Sequence, residues 1–379
     1  MFDSDFRKIL LIGLTSRLLV FTSAIIGSIV IGTNPLPGIF DINLPIVNLF
    51  SRWDGGQYAA IAVSGYASGN NPLVAQWAWF PLYPFFMGIV ARLFFVILTQ
   101  FEAAMLAGFL ISNSLFFVSL MIFYKLSEKI LKDKKLALLS SLFFAFWPGS
   151  LFYSCIYSES LFMTFALGAF YFLEKEKTIE STLLGFLAAL TRSNGFLVAI
   201  PFLYQGLKKK NLKIIIQLVI FSLPYLLFTL FGYFSTGVFP VREIVINQYW
   251  GKQDFLLVQL AQIEQGYALL FFIEFCLILL PFAYLFSSKE LLVNVFSLGL
   301  KGDWEDAKYY GYSLIQLVIV LVYSIIRNIH RYAIPMLPLY WVFAILWNKK
   351  PKLGVILLIL MTSLLSIGTI LFSTWRFYW

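Results

Sequence analysis

The chain has 379 residues, 60% of them apolar and 12% charged, with a formal net charge of +9. A soluble domain is about half apolar and about a quarter charged, so this balance excludes an ordinary soluble globule, and its low polarity excludes a disordered chain. A polytopic membrane protein remains, with the bilayer as most of its solvent.

Apolar runs of about 17–25 residues suffice to cross a hydrocarbon core. Taken in chain order they predict spans at 9–31, 104–124, 136–156, 160–173, 214–234, 268–286, 312–329, 334–347 and 353–373. Two further runs are broken: 79–99 by Pro81 and Pro84, and 182–206 by Arg192-Ser193-Asn194-Gly195. The expectation is an all-α polytopic membrane protein, one transmembrane domain over 1–379, with ten or eleven hydrophobic elements. The first run follows Arg7 and Lys8, contains Arg17 and is followed by no small-residue cleavage site. It reads as a retained anchor. Cys155 and Cys276 both lie inside apolar runs, and the single histidine, His330, excludes a multi-histidine metal site.

Lysines collect in short loops: five in 125–135, two in 174–180, four in 207–213, three in 287–308 and three in 348–352. The positive-inside rule puts these loops in the cytoplasm. Segments 32–78 and 235–267 carry only Arg52, Arg242 and Lys252 as basic residues and read as extracytoplasmic loops. Run 79–99 then becomes a partial element. Run 182–206 has both ends on the cytoplasmic side, which places its polar tetrad at the tip of a helical hairpin. Irregular backbone at membrane depth is tolerated where it lines a cavity, so the two breaks point to a cavity open to the outer face.

Charges inside spans are expensive and mark candidate functional positions. In the first outer loop, the apolar residues from Ile46 to Ile61 are spaced as one stripe of an interfacial helix. Asp54 lies in it beside Arg52 and Trp53, ahead of Gly55 and Gly56, and Tyr58 shares its face if the helix runs through the glycines. The bland alternative is an Arg52–Asp54 surface pair. Next comes Gln76-Trp77-Ala78-Trp79-Phe80-Pro81-Leu82-Tyr83-Pro84, an interfacial aromatic belt or the wall of an outer cavity. Glu159 is the only charge from Leu136 to Leu173, and Arg192 the only one between Ser181 and Gln205. A guanidinium there needs water or an anionic partner, either a carboxylate such as Glu159 or a ligand phosphate. Arg327, His330 and Arg331 end run 312–329 near the outer side. Glu274 is an isolated acid within a span, with no role evident from sequence. Arg92 and Glu102 flank the partial element as interfacial charges. An aspartate can serve as general base for a hydroxyl, and arginines can hold a phosphate and stabilise it as a leaving group. The set permits group transfer from a lipid-linked phosphate donor.

The blocks Trp53-Asp54-Gly55-Gly56-Gln57-Tyr58…Ile61-Ala62…Gly65-Tyr66 and Trp77-Ala78-Trp79-Phe80-Pro81-Leu82-Tyr83-Pro84 resemble the PIG-V type mannosyltransferases. That family has W-D-x-x-H/Q-[YF]-x-x-I-A-x-x-G-Y followed by A-F-F-P-L-x-P. The similarity continues through Tyr157-Ser158-Glu159-Ser160-Leu161-Phe162, Thr191-Arg192-Ser193-Asn194-Gly195, and Arg331-Tyr332 with its following prolines. The resemblance implies a GT-C glycosyltransferase fold with the active site at the first outer loop. It also implies mannose transfer from a polyprenyl-phosphate donor; eukaryotic members use dolichyl-phosphate mannose to add the second mannose of the GPI anchor. Asp54 becomes the catalytic base, with Arg192 and Arg331 on the phosphate side. Arg52, Trp53, Gln57, Tyr58, Gln76, Glu159, Asn194 and His330 complete the candidate substrate-binding set. Gln57 stands where many members have His, and Gln76 where eukaryotic members often have Glu. A prokaryotic-type glycolipid, a polyprenyl-linked acceptor and a GPI-like precursor all remain open as acceptor.

The expected reaction is a single inverting displacement on the extracytoplasmic side of a prokaryotic plasma membrane or of the endoplasmic reticulum. The expected partners are the donor, a lipid-linked acceptor and membrane lipids, with no nucleic acid. No cofactor is demanded by the residues, and a divalent metal stays open, since no carboxylate cluster has metal-binding spacing. The competing class is a multispan lipid or solute transporter, which broken helices also suit. A purely structural subunit is a third reading, against which the clustered outer charges count.

Overall fold

A computed structural model describes residues 4–33, 42–68, 74–210, 213–250, 265–287, 307–322 and 329–376. The α-helices in chain order are α1 (Ser4–Val30), α2 (Pro45–Leu49), α3 (Asp54–Ser64), α4 (Leu82–Ala91), α5 (Gln100–Leu131) and α6 (Lys134–Phe146). They continue as α7 (Glu159–Glu174), α8 (Thr178–Thr191), α9 (Ala199–Lys208), α10 (Lys213–Thr236) and α11 (Val241–Trp250). The last are α12 (Gln265–Ser287), α13 (Ala307–Val322), α14 (Ile329–Tyr332), α15 (Leu337–Lys349) and α16 (Pro351–Ser373). Among the described residues there is no strand. Five helices there are long and apolar enough to cross a membrane: Ser4–Val30, Gln100–Leu131, Ile214–Thr236, Leu269–Ser287 and Pro351–Ser373. The chain is an all-α, multi-pass membrane protein.

Local chemistry sets the helix ends. Thr99 and Glu102 form a reciprocal capping box at the start of α5, which gives the interfacial Glu102 a structural task. Lys132 closes α5 in the left-handed region, and Asp133 then caps α6 by accepting from the Lys135 and Leu136 amides at 2.7 and 3.1 Å. The result is a tight antiparallel pair. The predicted span 136–156 is not one helix. The α6 helix stops at Phe146 because Trp147 precedes Pro148 and is extended, followed by a tight 3-10 turn over Pro148–Tyr153.

The broken runs are short helical pieces. Run 79–99 forms the 10-residue α4 and a turn at Arg92–Phe94, too short to span the hydrocarbon core. Run 182–206 ends α8 at Thr191, becomes extended at Arg192 and turns through Ser193–Val198 into α9. Gly195 permits that turn, since a Cβ there would run into the Ala188 carbonyl. In the first loop the expected single stripe from Ile46 to Ile61 is interrupted. It folds as α2 and α3, separated at Trp53 by a backbone of φ +47°.

The lysine-rich loops gather at one end. Lys135 Nζ donates to Asn348 Oδ1 at 2.9 Å, and Lys134 Nζ lies 3.7 Å from Asp5. Lys209 lies 2.6 Å from Glu176 and holds that carboxyl below its usual range. Lys308 and Tyr309 both meet Glu174, the last residue of α7, at 2.5 and 2.7 Å. The other end of α7 begins at Glu159, and the candidate site is built there. Arg327 and residues 251–264, within the segment expected to form the second outer loop, fall outside the described residues.

Candidate active site

Asp54 is the first residue of α3, and an acid in a first helical turn is favoured by the helix dipole. Its position follows from the turn before it. A non-glycine residue at positive φ is strained, and Trp53 is held there by Trp375 and Phe372, whose ring centroids lie 4.7 and 5.1 Å from its own. The segment 154–158 runs alongside. The Ile156 amide donates to the Phe50 carbonyl at 3.0 Å, the Tyr157 hydroxyl donates to the Arg52 carbonyl at 3.1 Å, and the Asp54 amide donates to that hydroxyl at 3.3 Å.

Four charged side chains meet here. Arg331 Nη1 donates to Asp54 Oδ2 at 3.0 Å, and its Nε donates to Glu159 Oε1. Arg192 Nη1 donates to the same Glu159 oxygen and to Ser158 Oγ at 3.3 Å. Tyr58, on the face of α3 it shares with Asp54, shares a hydrogen bond of 2.9 Å with Ser158 Oγ. Glu159 is 3% exposed at the side chain, Arg331 10%, Arg192 12% and Asp54 23%, so Asp54 is the most accessible of the four. The Arg331 guanidinium sits over the Tyr157 and Phe152 rings at 4.4 and 5.1 Å, and that of Arg192 is 6.0 Å from the Tyr332 ring. Two carboxylates and two guanidiniums balance in formal charge. An added anion then finds two fork-shaped donors already oriented.

The expected residues are not all brought together. Arg52 is 1% exposed and points the other way; its Nε donates to the Ser373 carbonyl at 3.2 Å and its guanidinium lies 4.8 Å from the Trp375 ring. It lines a cavity with Asn48, Leu49 and Trp375, and its burial excludes a surface pair with Asp54. His330 also faces away from the charged cluster. Its side chain is 1% exposed, stacked on Phe152, with Nδ1 3.3 Å from Glu274 Oε2. Glu159 serves the two arginines rather than an open surface. Gln57, Gln76 and Asn194 are half-buried and make no side-chain hydrogen bond among the described residues. The 75–78 turn carrying Gln76 packs on α11, with Trp77 stacked on Tyr66 at 4.7 Å, while Trp79 approaches Tyr58 at 6.2 Å. Among the described residues no cluster of three metal-ligating side chains is present.

Sequence reasoning left two residues without a role. Arg17 of α1 is 3% exposed and donates to the Ser150 carbonyl at 2.9 Å and to Ser154 Oγ at 2.8 Å, with its guanidinium 4.1 Å from the Phe116 ring. It pins the segment that leads into Tyr157–Glu159. Glu274 meets His330. Both charges stand out in the sequence as isolated within spans, but their partners are far away along the chain.

Residues 42–288, which include Asp54, Glu159 and Arg192, match the family model described as Mannosyltransferase (PIG-V). The chain is 29% identical over 203 residues to GPI alpha-1,6-mannosyltransferase 2 of Rattus norvegicus, covering 48% of this chain and 40% of that one. It is 31% identical over 199 residues to the Mus musculus protein of the same name, covering 47% and 39%. The match thus spans less than half the length of these relatives. Among solved structures, the Archaeoglobus fulgidus oligosaccharyltransferase is similar at a TM-score of 0.46 and 12% identity, over 95% of this chain and 53% of that one. The motif blocks around Asp54, Glu159 and Arg192 all fall within the family match over 42–288: the chain belongs to the PIG-V mannosyltransferase family.

Proposed function

We propose that this protein transfers mannose from a polyprenyl-phosphate donor to a hydroxyl of a lipid-linked or glycolipid acceptor, with inversion, on the extracytoplasmic side. The observation that carries the reading is the Asp54–Arg331–Glu159–Arg192 network at the end of α7 remote from the lysine-rich loops. The acceptor oxygen attacks the anomeric carbon and its proton passes to the Asp54 carboxylate. The bond from that carbon to the phosphate oxygen breaks, and polyprenyl phosphate leaves with the electron pair. Arg192 and Arg331 neutralise the charge growing on the phosphate, the kind of preorganised stabilisation that contributes most to such reactions. Arg331 Nη1 lies 3.0 Å from Asp54 Oδ2, so the base and the phosphate-side guanidinium are in contact. An arriving phosphate competes for Arg331 and frees Asp54 for the acceptor.

The test supplies purified protein with polyprenyl-phosphate mannose labelled in the sugar, together with mixed lipid acceptors. Labelled product with the anomeric configuration opposite to the donor's supports the reading. Label that crosses a vesicle membrane with its phosphate bond intact contradicts it and favours a transporter.

A further inference from the structure

Glu274 lies ten residues into α12 and is the only charge in that helix. A carboxylate within an apolar span is expensive and calls for a partner and a reason. Its Oε2 lies 3.3 Å from His330 Nδ1, and the side chains are 4% and 1% exposed. His330 belongs to α14, whose four residues are far too few to form a helix unaided. The helix is therefore held by what surrounds it. On one side Trp147 Nε1 donates to the His330 carbonyl at 2.8 Å and the Phe152 ring stacks on the imidazole at 5.6 Å. Gly149 is pressed so close that a Cβ would strike the same carbonyl. From α12, Glu274 comes within ion-pair distance of the imidazole. The next residue after His330 is Arg331, which reaches Asp54 and Glu159.

We infer that Glu274 is a positioning residue: through His330 it fixes α14, and with it the reach of Arg331 to Asp54 and to the donor phosphate. The inference rests on the reading of Arg331 as a phosphate-side group. Glu274 touches neither Asp54 nor Arg331, so its effect on transfer passes through the helix. Removing it loosens α14 on its α12 side while leaving the contacts to Trp147 and Phe152 intact. Donor binding then suffers more than turnover of the bound complex.

The experiment is a double-mutant cycle on the full chain with a short-chain polyprenyl-phosphate mannose as probe, measuring donor KM, kcat and thermal unfolding. In the wild-type background Glu274→Leu raises donor KM about 10-fold, with kcat changed less than about 3-fold, the scale expected for coupled residues. Glu274→Gln, which keeps a polar group facing His330, recovers most of that loss. In an Arg331→Lys background, Glu274→Leu moves KM less than about 2-fold, because the fork it positions is already gone. An equal KM factor in both backgrounds, or a lower melting temperature with KM unchanged, overturns the inference. Should Glu274→Leu not fold, Glu274→Asp, which draws the carboxylate back by one methylene, is put through the same cycle with the same criteria. Failure of both to fold makes the residue purely structural and overturns the inference too. If Arg331→Lys itself leaves donor KM unchanged, the phosphate reading falls and this inference with it. If Arg331→Lys weakens the donor but the cycle is additive, only this inference falls.

Discussion

At Glu159 a single oxygen accepts from both Arg192 and Arg331 in a side chain 3% exposed. Taking one partner from a buried ion cluster leaves uncompensated charge, at a cost of about 3–5 kcal/mol. Glu159→Gln is therefore expected to lower the unfolding temperature clearly in detergent and to weaken donor binding at the same time. A variant as stable as the parent would show that the arginines do not depend on this acid. Arg192→Lys keeps the charge but loses the fork. Donor affinity should fall without loss of stability, as read by titration of labelled donor, and an unchanged affinity would mark Arg192 as structural. The sequence displayed these charges because each stands alone in an apolar stretch. It did not display their directions. Arg52 and Asp54 are two residues apart, yet the positive φ at Trp53 sends one side chain toward Ser373 and the other toward Arg331. His330 and Arg331 are adjacent on α14 and face different partners, because successive residues of a 3.6-residue helical turn point in different directions.

Among the elements, α3 was legible. Its helix does pass through Gly55 and Gly56, placing Tyr58 on the face of Asp54. The break at Arg192 was legible too, because four polar or small residues interrupt an apolar run. Other breaks were hidden. Run 136–156 scored as continuous by apolarity, yet Pro148 removes an amide and forces Trp147 out of the helical region. The resulting turn brings Gly149 against α14, a contact across nearly half the chain that no local pattern announces. Gly149→Ala should push α14 and Arg331 away from Asp54. Overpacking of this kind costs about 1–3 kcal/mol, so the protein should still fold, and transfer should fall more than stability does. Equal transfer in the variant and the parent would contradict this account of α14.

Across the whole molecule, the charge asymmetry of the sequence became an asymmetry of ends. The loops rich in lysine meet through Lys135–Asn348, Lys209–Glu176 and Lys308–Glu174, while the acid–arginine cluster lies at the opposite end of α7. If the lysine-rich end is cytoplasmic, Lys129→Cys, at an exposed position, should react with a membrane-impermeant maleimide only after cells are opened. Ser64→Cys, exposed at the end of α3, should react in intact cells. The reverse pattern would invert the topology. The most direct measurement is single-turnover mannose transfer from polyprenyl-phosphate mannose by the purified chain, comparing parent with Asp54→Asn. The account predicts a folded variant with transfer slowed about 10²–10⁴-fold; transfer at the parental rate would contradict the assignment of Asp54 as the base.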